Sequence, residues 1–315
     1  MALDTASVSL SDIRDAAKRI HPYVVVTPML PADPVAGERV WFKAESLQRT
    51  GSFKIRGALN AVLQLAPEAW RRGVITLSAG NHGRALAYAA RRLDIACVVV
   101  IRDDAPASKL RAIADLGAEI ILVPVAEWQE RLEAEQQRRN LVLIHPFDDP
   151  AVVAGQGTVG LEIIDALPQL RTILVPVGGG GLIAGVATAI KEQRADVVII
   201  GVEPERAPVV TESLAAGHPV PPSRVDTIAE GLAPPYTRKF NLSIVQHYVD
   251  EMRTVSDGAI IEALKMVALK SKLVVEPAGA AGVAALLADS SIERPAAVIL
   301  SGGNVDSDRL ASWLT

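Results

Sequence analysis

The sequence predicts an α/β protein made of two doubly wound parallel-sheet domains, and three observations carry that expectation. Short apolar runs that read as strands alternate with segments of helical periodicity. Those runs are apolar throughout rather than alternating, as strands covered on both faces are. Half the residues are hydrophobic and only 4% are aromatic, so Ala, Val, Leu and Ile do the packing. That composition suits α/β layers better than a β-sandwich. At 315 residues the chain has room for one large or two modest domains.

In chain order, MALDTASVSLSDIRDAAKRI has acidic residues and helical periodicity where a signal peptide would need a basic start and an apolar block. GSFKIRGA then reads as a helix start, with Ser52 as N-cap and Phe53, Ile55, Leu59, Val62 and Leu63 as its apolar run. Strand 74–78 precedes helix 83–93, strand 95–101 precedes helix 108–116, strand 119–123 precedes helix 127–139, and strand 141–144 closes the series. Later, strand 172–177 precedes helix 182–193, strand 197–202 follows, and strand 296–300 ends in a glycine turn. The turn HPFDDP at 145–150 marks a boundary. Residues 71–147 form a small mobile domain, while 1–70 and 148–315 form a discontinuous large one.

The net charge of −4 and the lack of like-charge blocks argue against nucleic acid and anionic membrane as partners. No apolar run reaches bilayer-spanning length. The lone Cys97 lies in an apolar strand and reads as inert packing. The chain is expected to be soluble and cytoplasmic. The five histidines are scattered without metal-ligand spacing, so no zinc site is expected.

Lys54 stands between Phe53 and Ile55 at the start of a helix. A cation there faces the positive end of the helix dipole, which costs roughly 0.3 to 1 kcal/mol. Apolar neighbours add to the effect by desolvating the ammonium. Both favour the neutral amine, the form that attacks a carbonyl to make a Schiff base. The plain alternative is a lysine that lays its stem on the core and keeps its head in water.

Three polar loops follow predicted strands, where open parallel sheets place ligands. VPVGGGGLIAG, 175–185, runs from a strand through four glycines into a helix. Exposed amides at that helix start suit a phosphate group, and the spacing matches neither a Walker A loop nor a dinucleotide fingerprint. SAGNHGRA, 78–85, puts Asn81 and His82 at another helix start. There Ser78 or Asn81 caps the helix by default, or the cluster holds a carboxylate. SGGNVD, 301–306, is the third loop.

The series GSFKIRGA, SAGNHGRALA, DPAVVAGQGTVGLEI, VPVGGGGLIAG, TIAEGLA, VEPAGAAG and SGGNVD, in that order, resembles the fold-type II pyridoxal 5'-phosphate enzymes. The similarity lies in the branch of threonine/serine dehydratases and serine racemases. The resemblance covers nearly the whole chain and implies a tryptophan synthase β-like fold with the active site between the domains. It implies that Lys54 forms the Schiff base with the cofactor and that Phe53 packs by its ring. Gly178, Gly179, Gly180, Gly181 and Leu182 would bind its phosphate, Asn81 its ring hydroxyl, and Ser301 would face its pyridine nitrogen. Ser78, Ala79, Asn81 and His82 would receive the substrate carboxylate. A homodimer or homotetramer is implied as well.

The same resemblance implies β-elimination from a 3-hydroxy amino acid, L-threonine or L-serine, to a 2-oxo acid and ammonia. A neutral Ser301 leaves the ring a weaker electron sink, which favours prompt loss of the β-hydroxyl. Racemases of the branch carry a serine where Ala79 stands, so racemisation is the lesser alternative. Dehydration of threo-3-hydroxyaspartate or of a hydroxyectoine-derived compound is another, since NHGRALAYAA is similar to the ectoine-utilisation dehydratases. Glu203 matches a racemase divalent-cation ligand, but Val209 takes the place of its aspartate, which argues against a Mg2+ site. A monovalent cation held by carbonyls would leave no readable signature. The chain stops soon after SGGNVD, so no C-terminal regulatory domain is expected.

Overall fold

The structure, a computed structural model, describes residues 8–315. Ten strands follow one another along the chain: β1 (Met29–Pro31), β2 (Val40–Lys43), β3 (Val74–Leu77), β4 (Cys97–Arg102), β5 (Glu119–Val123), β6 (Val142–Leu143), β7 (Thr172–Pro176), β8 (Val198–Pro204), β9 (Glu251–Val255) and β10 (Ala296–Ile299). They form two sheets, in the orders β1-β2-β10-β7-β8-β9 and β5-β4-β3-β6. Every pairing is parallel except that of β1 with β2. The chain is thus an α/β protein with two parallel sheets, as its apolar runs predict. All of β7 and β10 is buried, because helices cover both faces of the larger sheet.

Helix packing accounts for two of the glycines in the quoted motifs. Helices Pro150–Ala166 and Gly181–Lys191 lie so close that a Cβ on Gly185 would stand 2.4 Å from the Val153 carbonyl oxygen. One on Gly155 would stand 2.5 Å from the Arg56 carbonyl oxygen, where helix Lys54–Leu63 crosses. Neither position has room for a side chain. Ile55, Leu59 and Val62 join Val74, Leu86 and Val99 in one buried cluster. The helix that begins at Lys54 therefore packs against elements of the smaller sheet as well as against helix Pro150–Ala166.

The strands expected from the sequence all form, most of them with ends moved by a residue or two. Three others, β1, β2 and β9, were not expected. β1 is an antiparallel edge strand of three residues ending in proline, and β9 is a half-exposed edge strand reading EMRTV. Edge strands carry little apolar pattern because one side has no neighbour. Ser52 is a correction: the residue before the helix is Phe53 in helical conformation, no side chain caps the turn, and Ser52 Oγ is buried without a partner. The reason is a short bridge between Ser52 and Gly302, which ties this segment to the SGGNVD loop instead. Among the described residues no helix is long and apolar enough to cross a membrane.

Candidate active site

Three loops at the carboxyl ends of β3, β7 and β10 supply the site, together with the segment that leads into Lys54. Lys54 is the first residue of its helix, and its Nζ donates to the Pro146 carbonyl at 2.8 Å. The ammonium lies 5.2 Å from the centre of the Phe53 ring. Burial lowers its pKa from 10.5 to about 8, against the opposing pull of the Glu276 carboxylate. The neutral amine is therefore accessible near physiological pH.

Asn81 does not cap its helix. Helix Asn81–Arg92 starts after Gly80 with no side-chain cap, and Ser78 Oγ accepts only from the Gly80 amide at 3.2 Å. The Asn81 side chain instead donates through Nδ2 to Glu276 Oε1 at 2.6 Å and accepts through Oδ1 from Asn304 Nδ2 at 2.7 Å. Asn304 also donates to the Thr50 carbonyl, and Arg84 donates to Asn304 Oδ1. Four chain segments meet in this knot. Burial pushes the Glu276 carboxyl up to about 7, while the Asn81 hydrogen bond and the charges of Lys109 and Lys54 hold it down.

Two neutral imidazoles flank the lysine. His82 is buried, its Nε2 lies 3.0 Å from the Ile144 carbonyl, and its Nδ1 is buried without a partner. Nε2 therefore carries the proton, and Nδ1 presents a lone pair. Burial, and then the charge of Lys54, lower the His82 pKa to about 3. His145 Nδ1 accepts from the amides of Phe147 and Asp148, so its proton is also on Nε2, 3.3 Å from the Tyr236 hydroxyl. Burial lowers its pKa to about 4, with Lys54 and Arg238 adding to the effect.

The glycine turn is open on its amide side. Among the described residues, the backbone N–H groups of 178–182 have no hydrogen-bond acceptor. A Cβ on Gly179 would stand 2.5 Å from the Phe147 ring, and Gly180 has φ +92°, a left-handed conformation that favours glycine. Thr237 Oγ1 and Asn241 Nδ2 hold the Gly179 carbonyl from behind. Five amides aimed away from protein acceptors at a helix start fit a phosphate ester.

Ser301 opens the loop after β10, and its backbone carbonyl accepts from the Phe53 amide at 3.1 Å, which ties it to the lysine segment. Ala79 packs at the edge of the smaller sheet's core. Glu203 lies elsewhere, with its carboxylate accepting from the amides of Val210 and Thr211 and from the Thr211 hydroxyl. It caps helix Val209–Ala216, and burial raises its pKa to about 7. Among the described residues no three His, Cys, Asp or Glu side chains gather as a metal site would require.

The sequence reading assigned no role to Glu276, Asn304, Pro146 or Phe147. All four stand in stretches it quoted: Glu276 before Pro277 looks like an ordinary helix start, and the others look like turn residues. Their partners lie far along the chain, so only the fold reveals them.

Two parallel sheets in this order, matched by the family and structural comparisons, make the chain a fold-type II pyridoxal-phosphate enzyme. The chain belongs to the pyridoxal-phosphate dependent enzyme family, whose model matches residues 20–302. It is 40% identical to the L-threonine ammonia-lyase of Thermotoga maritima over 95% of this chain and 76% of that protein. It is 37% identical to the L-threo-3-hydroxyaspartate ammonia-lyase of Saccharomyces cerevisiae, over 96% and 95% of the two chains. Maize serine racemase superposes with a TM-score of 0.93 at 38% identity, over 97% of this chain and 96% of that one. The cofactor is pyridoxal 5'-phosphate, and the open amides of 178–182 and the half-buried Lys54 fit it.

Proposed function

We propose that the protein is an ammonia-lyase that eliminates water from a 3-hydroxy amino acid, L-threonine or L-serine, to give a 2-oxo acid and ammonia. The observation that carries this reading is the half-buried Lys54, its amine held at the Pro146 carbonyl and lowered to a pKa of about 8, in a chain whose position 79 is alanine. Bound pyridoxal phosphate supplies an electron sink that acidifies the α-carbon of an attached amino acid. Lys54 Nζ removes the α-proton on one face. The β-hydroxyl would leave as water with the proton that Lys54 Nζ took from the α-carbon, and the enamine set free would tautomerise to the imine, which water hydrolyses to the keto acid and ammonia. The amides of 178–182 would hold the phosphate, Phe53 would pack by the ring, Asn81 would hold the ring hydroxyl, and Ser301 would face the ring nitrogen. The loop of Ser78, Ala79, Asn81 and His82 would hold the substrate carboxylate.

The relatives support elimination from hydroxy amino acids as the chemistry of this family branch. Ala79 offers no hydroxyl to return a proton on the second face, which supports elimination over racemisation. Ala79→Ser is expected to raise racemisation relative to elimination at least several-fold; an unchanged ratio, read by chiral chromatography beside keto-acid release, removes the second-face argument. A second reading, a substrate with a distal carboxylate such as threo-3-hydroxyaspartate, is favoured by Arg238. Its guanidinium lies 4.5 Å from the centre of the Tyr236 ring, whose hydroxyl meets His145, and it pairs loosely with Asp148 at 3.8 Å. We further infer a homodimer or homotetramer, supported by the exposed Val26, Leu47, Leu269 and Val274.

The test is turnover by the cofactor-loaded protein, followed by NMR, on L-threonine, L-serine, threo-3-hydroxyaspartate and a hydroxyectoine-derived amino acid. Rapid 2-oxobutyrate from threonine supports the first reading. Turnover of hydroxyaspartate with silence on threonine and serine replaces it with the second.

A further inference from the structure

Phe147 meets the glycine turn from the segment that joins β6 to helix Pro150–Ala166. A Cβ on Gly179 would stand 2.5 Å from the Phe147 ring, and one on Gly181 would stand 3.0 Å from the Phe147 Cβ. The turn is therefore pressed against this crossover between the two sheets. Asn241, fully buried on helix Lys239–Tyr248, ties the two together. Its Nδ2 donates to the Phe147 carbonyl at 2.9 Å and to the Gly179 carbonyl at 3.1 Å, and Thr237 Oγ1 adds a second donor to Gly179 at 3.2 Å. Asn241 Oδ1 is buried without a partner, so the hydrogen bonding of this amide goes to those two carbonyls. A reversed amide would set Oδ1 against two carbonyl oxygens. The carbonyl one residue earlier, that of Pro146, is the one that takes Lys54 Nζ.

We propose that Asn241 is a positioning residue for the cofactor phosphate: it aims the Gly180 amide and seats the glycine turn on the crossover that also meets Lys54. The C=O and N–H of one planar trans peptide point opposite ways. Holding the Gly179 carbonyl from behind therefore turns the Gly180 N–H forward, to the side where the amides of 178–182 have no protein acceptor. Gly180, at φ +92°, has backbone freedom that no other residue would bring to this turn, and the bonds to the Gly179 carbonyl take that freedom away.

The role rests on the assignment of 178–182 to the phosphate, so it is tested with two ligands that differ in that group. Pyridoxal 5'-phosphate and pyridoxal are titrated into the apoproteins of wild type, Asn241→Asp and Asn241→Leu, and binding is followed by absorbance. Asp keeps the shape of Asn and puts acceptors against both carbonyls, while Leu keeps much of the volume and removes both donors. Asn241→Asp is expected to weaken pyridoxal 5'-phosphate roughly 10- to 100-fold, the range for leaving buried polar groups unpaired, with pyridoxal nearly unchanged. Asn241→Leu weakens it less, because no oxygen opposes the carbonyls. Amide exchange at 145–149 and at 178–182 is expected to speed up together in both variants, since one side chain ties the two segments. Equal losses for the two ligands, or an unchanged affinity for pyridoxal 5'-phosphate in Asn241→Asp, overturn the proposal. So does failure of both variants to fold, read from urea titrations, which would make Asn241 a structural residue. A wild type that binds the two ligands alike removes the phosphate assignment itself, and the proposal with it.

Discussion

Lys54→Ala is expected to abolish the visible absorbance of the lysine-bound cofactor and to lower kcat/KM by on the order of 10^4-fold, the upper range for loss of a positioned acid/base group. The fold is expected to survive, because the substitution removes a cation from a helix start and puts in the best helix former. Stability is in fact expected to rise. The lysine pKa falls from 10.5 to about 8 on folding, so between those values the unfolded chain binds more protons than the folded one. Wild-type stability therefore climbs as pH rises from 8 to 10.5, and below 8 the burial cost is present in full. In the apoprotein at pH 7, Lys54→Ala is expected to unfold at higher denaturant, by about 1 to 3 kcal/mol, with the gain fading as pH rises from 8 to 10.5. Urea titrations of both apoproteins at pH 7 and 10.5 read this directly. Loss of activity accompanied by loss of stability would mean that Lys54 is a structural residue whose removal damages the site from a distance.

Much of this was legible in the sequence because it depends on local pattern. Buried parallel strands such as ILVPV and CVVVI declare themselves by unbroken apolar runs, and the four glycines between β7 and its helix declare a close approach. The setting of Lys54 was legible for the same reason, since its apolar neighbours and helix-start position are consecutive residues, while the role proposed for it came from the resemblance. What stayed hidden depends on pairings across hundreds of residues. Ser52 looked like a cap until the fold set it against Gly302. Asn81 looked like one until Glu276 and Asn304, 195 and 223 residues away, took both ends of its amide. Local rules predict a local partner, and tertiary packing supplied a better one. The edge strands β1 and β9 escaped for a different reason, because a strand with one neighbour needs little apolar pattern.

The clearest case of a hidden partner is Arg56, two residues beyond the lysine and fully buried, whose replacement by methionine is expected to cost about 3 to 5 kcal/mol. Its guanidinium grips Glu45 through Nε and Nη2, both at 2.8 Å, and reaches Glu162 through Nη1 at 2.6 Å and Nη2 at 2.9 Å. Lys43, also buried, pairs with Glu162 and donates to the Thr27 carbonyl at 2.6 Å. Two cations and two carboxylates thus balance in the interior. Burial works to raise the Glu45 carboxyl, but Arg56 first, and then Lys43, hold it below the usual carboxylate range. Methionine fills much of the same volume while leaving the buried Glu45 with only the Thr27 hydroxyl and the Lys43 charge, and it is that under-compensated carboxylate which carries the cost. Two outcomes distinguish this account from lost packing. Adding Glu45→Gln to Arg56→Met is expected to recover part of the loss, because the charge left behind is removed. The wild-type network, whose Glu45 pKa is depressed, contributes stability above the usual carboxylate range and loses it as pH falls through the folded value, so the gap between wild type and Arg56→Met narrows in acid. A double variant no more stable than the single one, with a gap constant from pH 8 to pH 4, would assign the cost to packing and leave the ion network without an energetic role in seating the Lys54 helix.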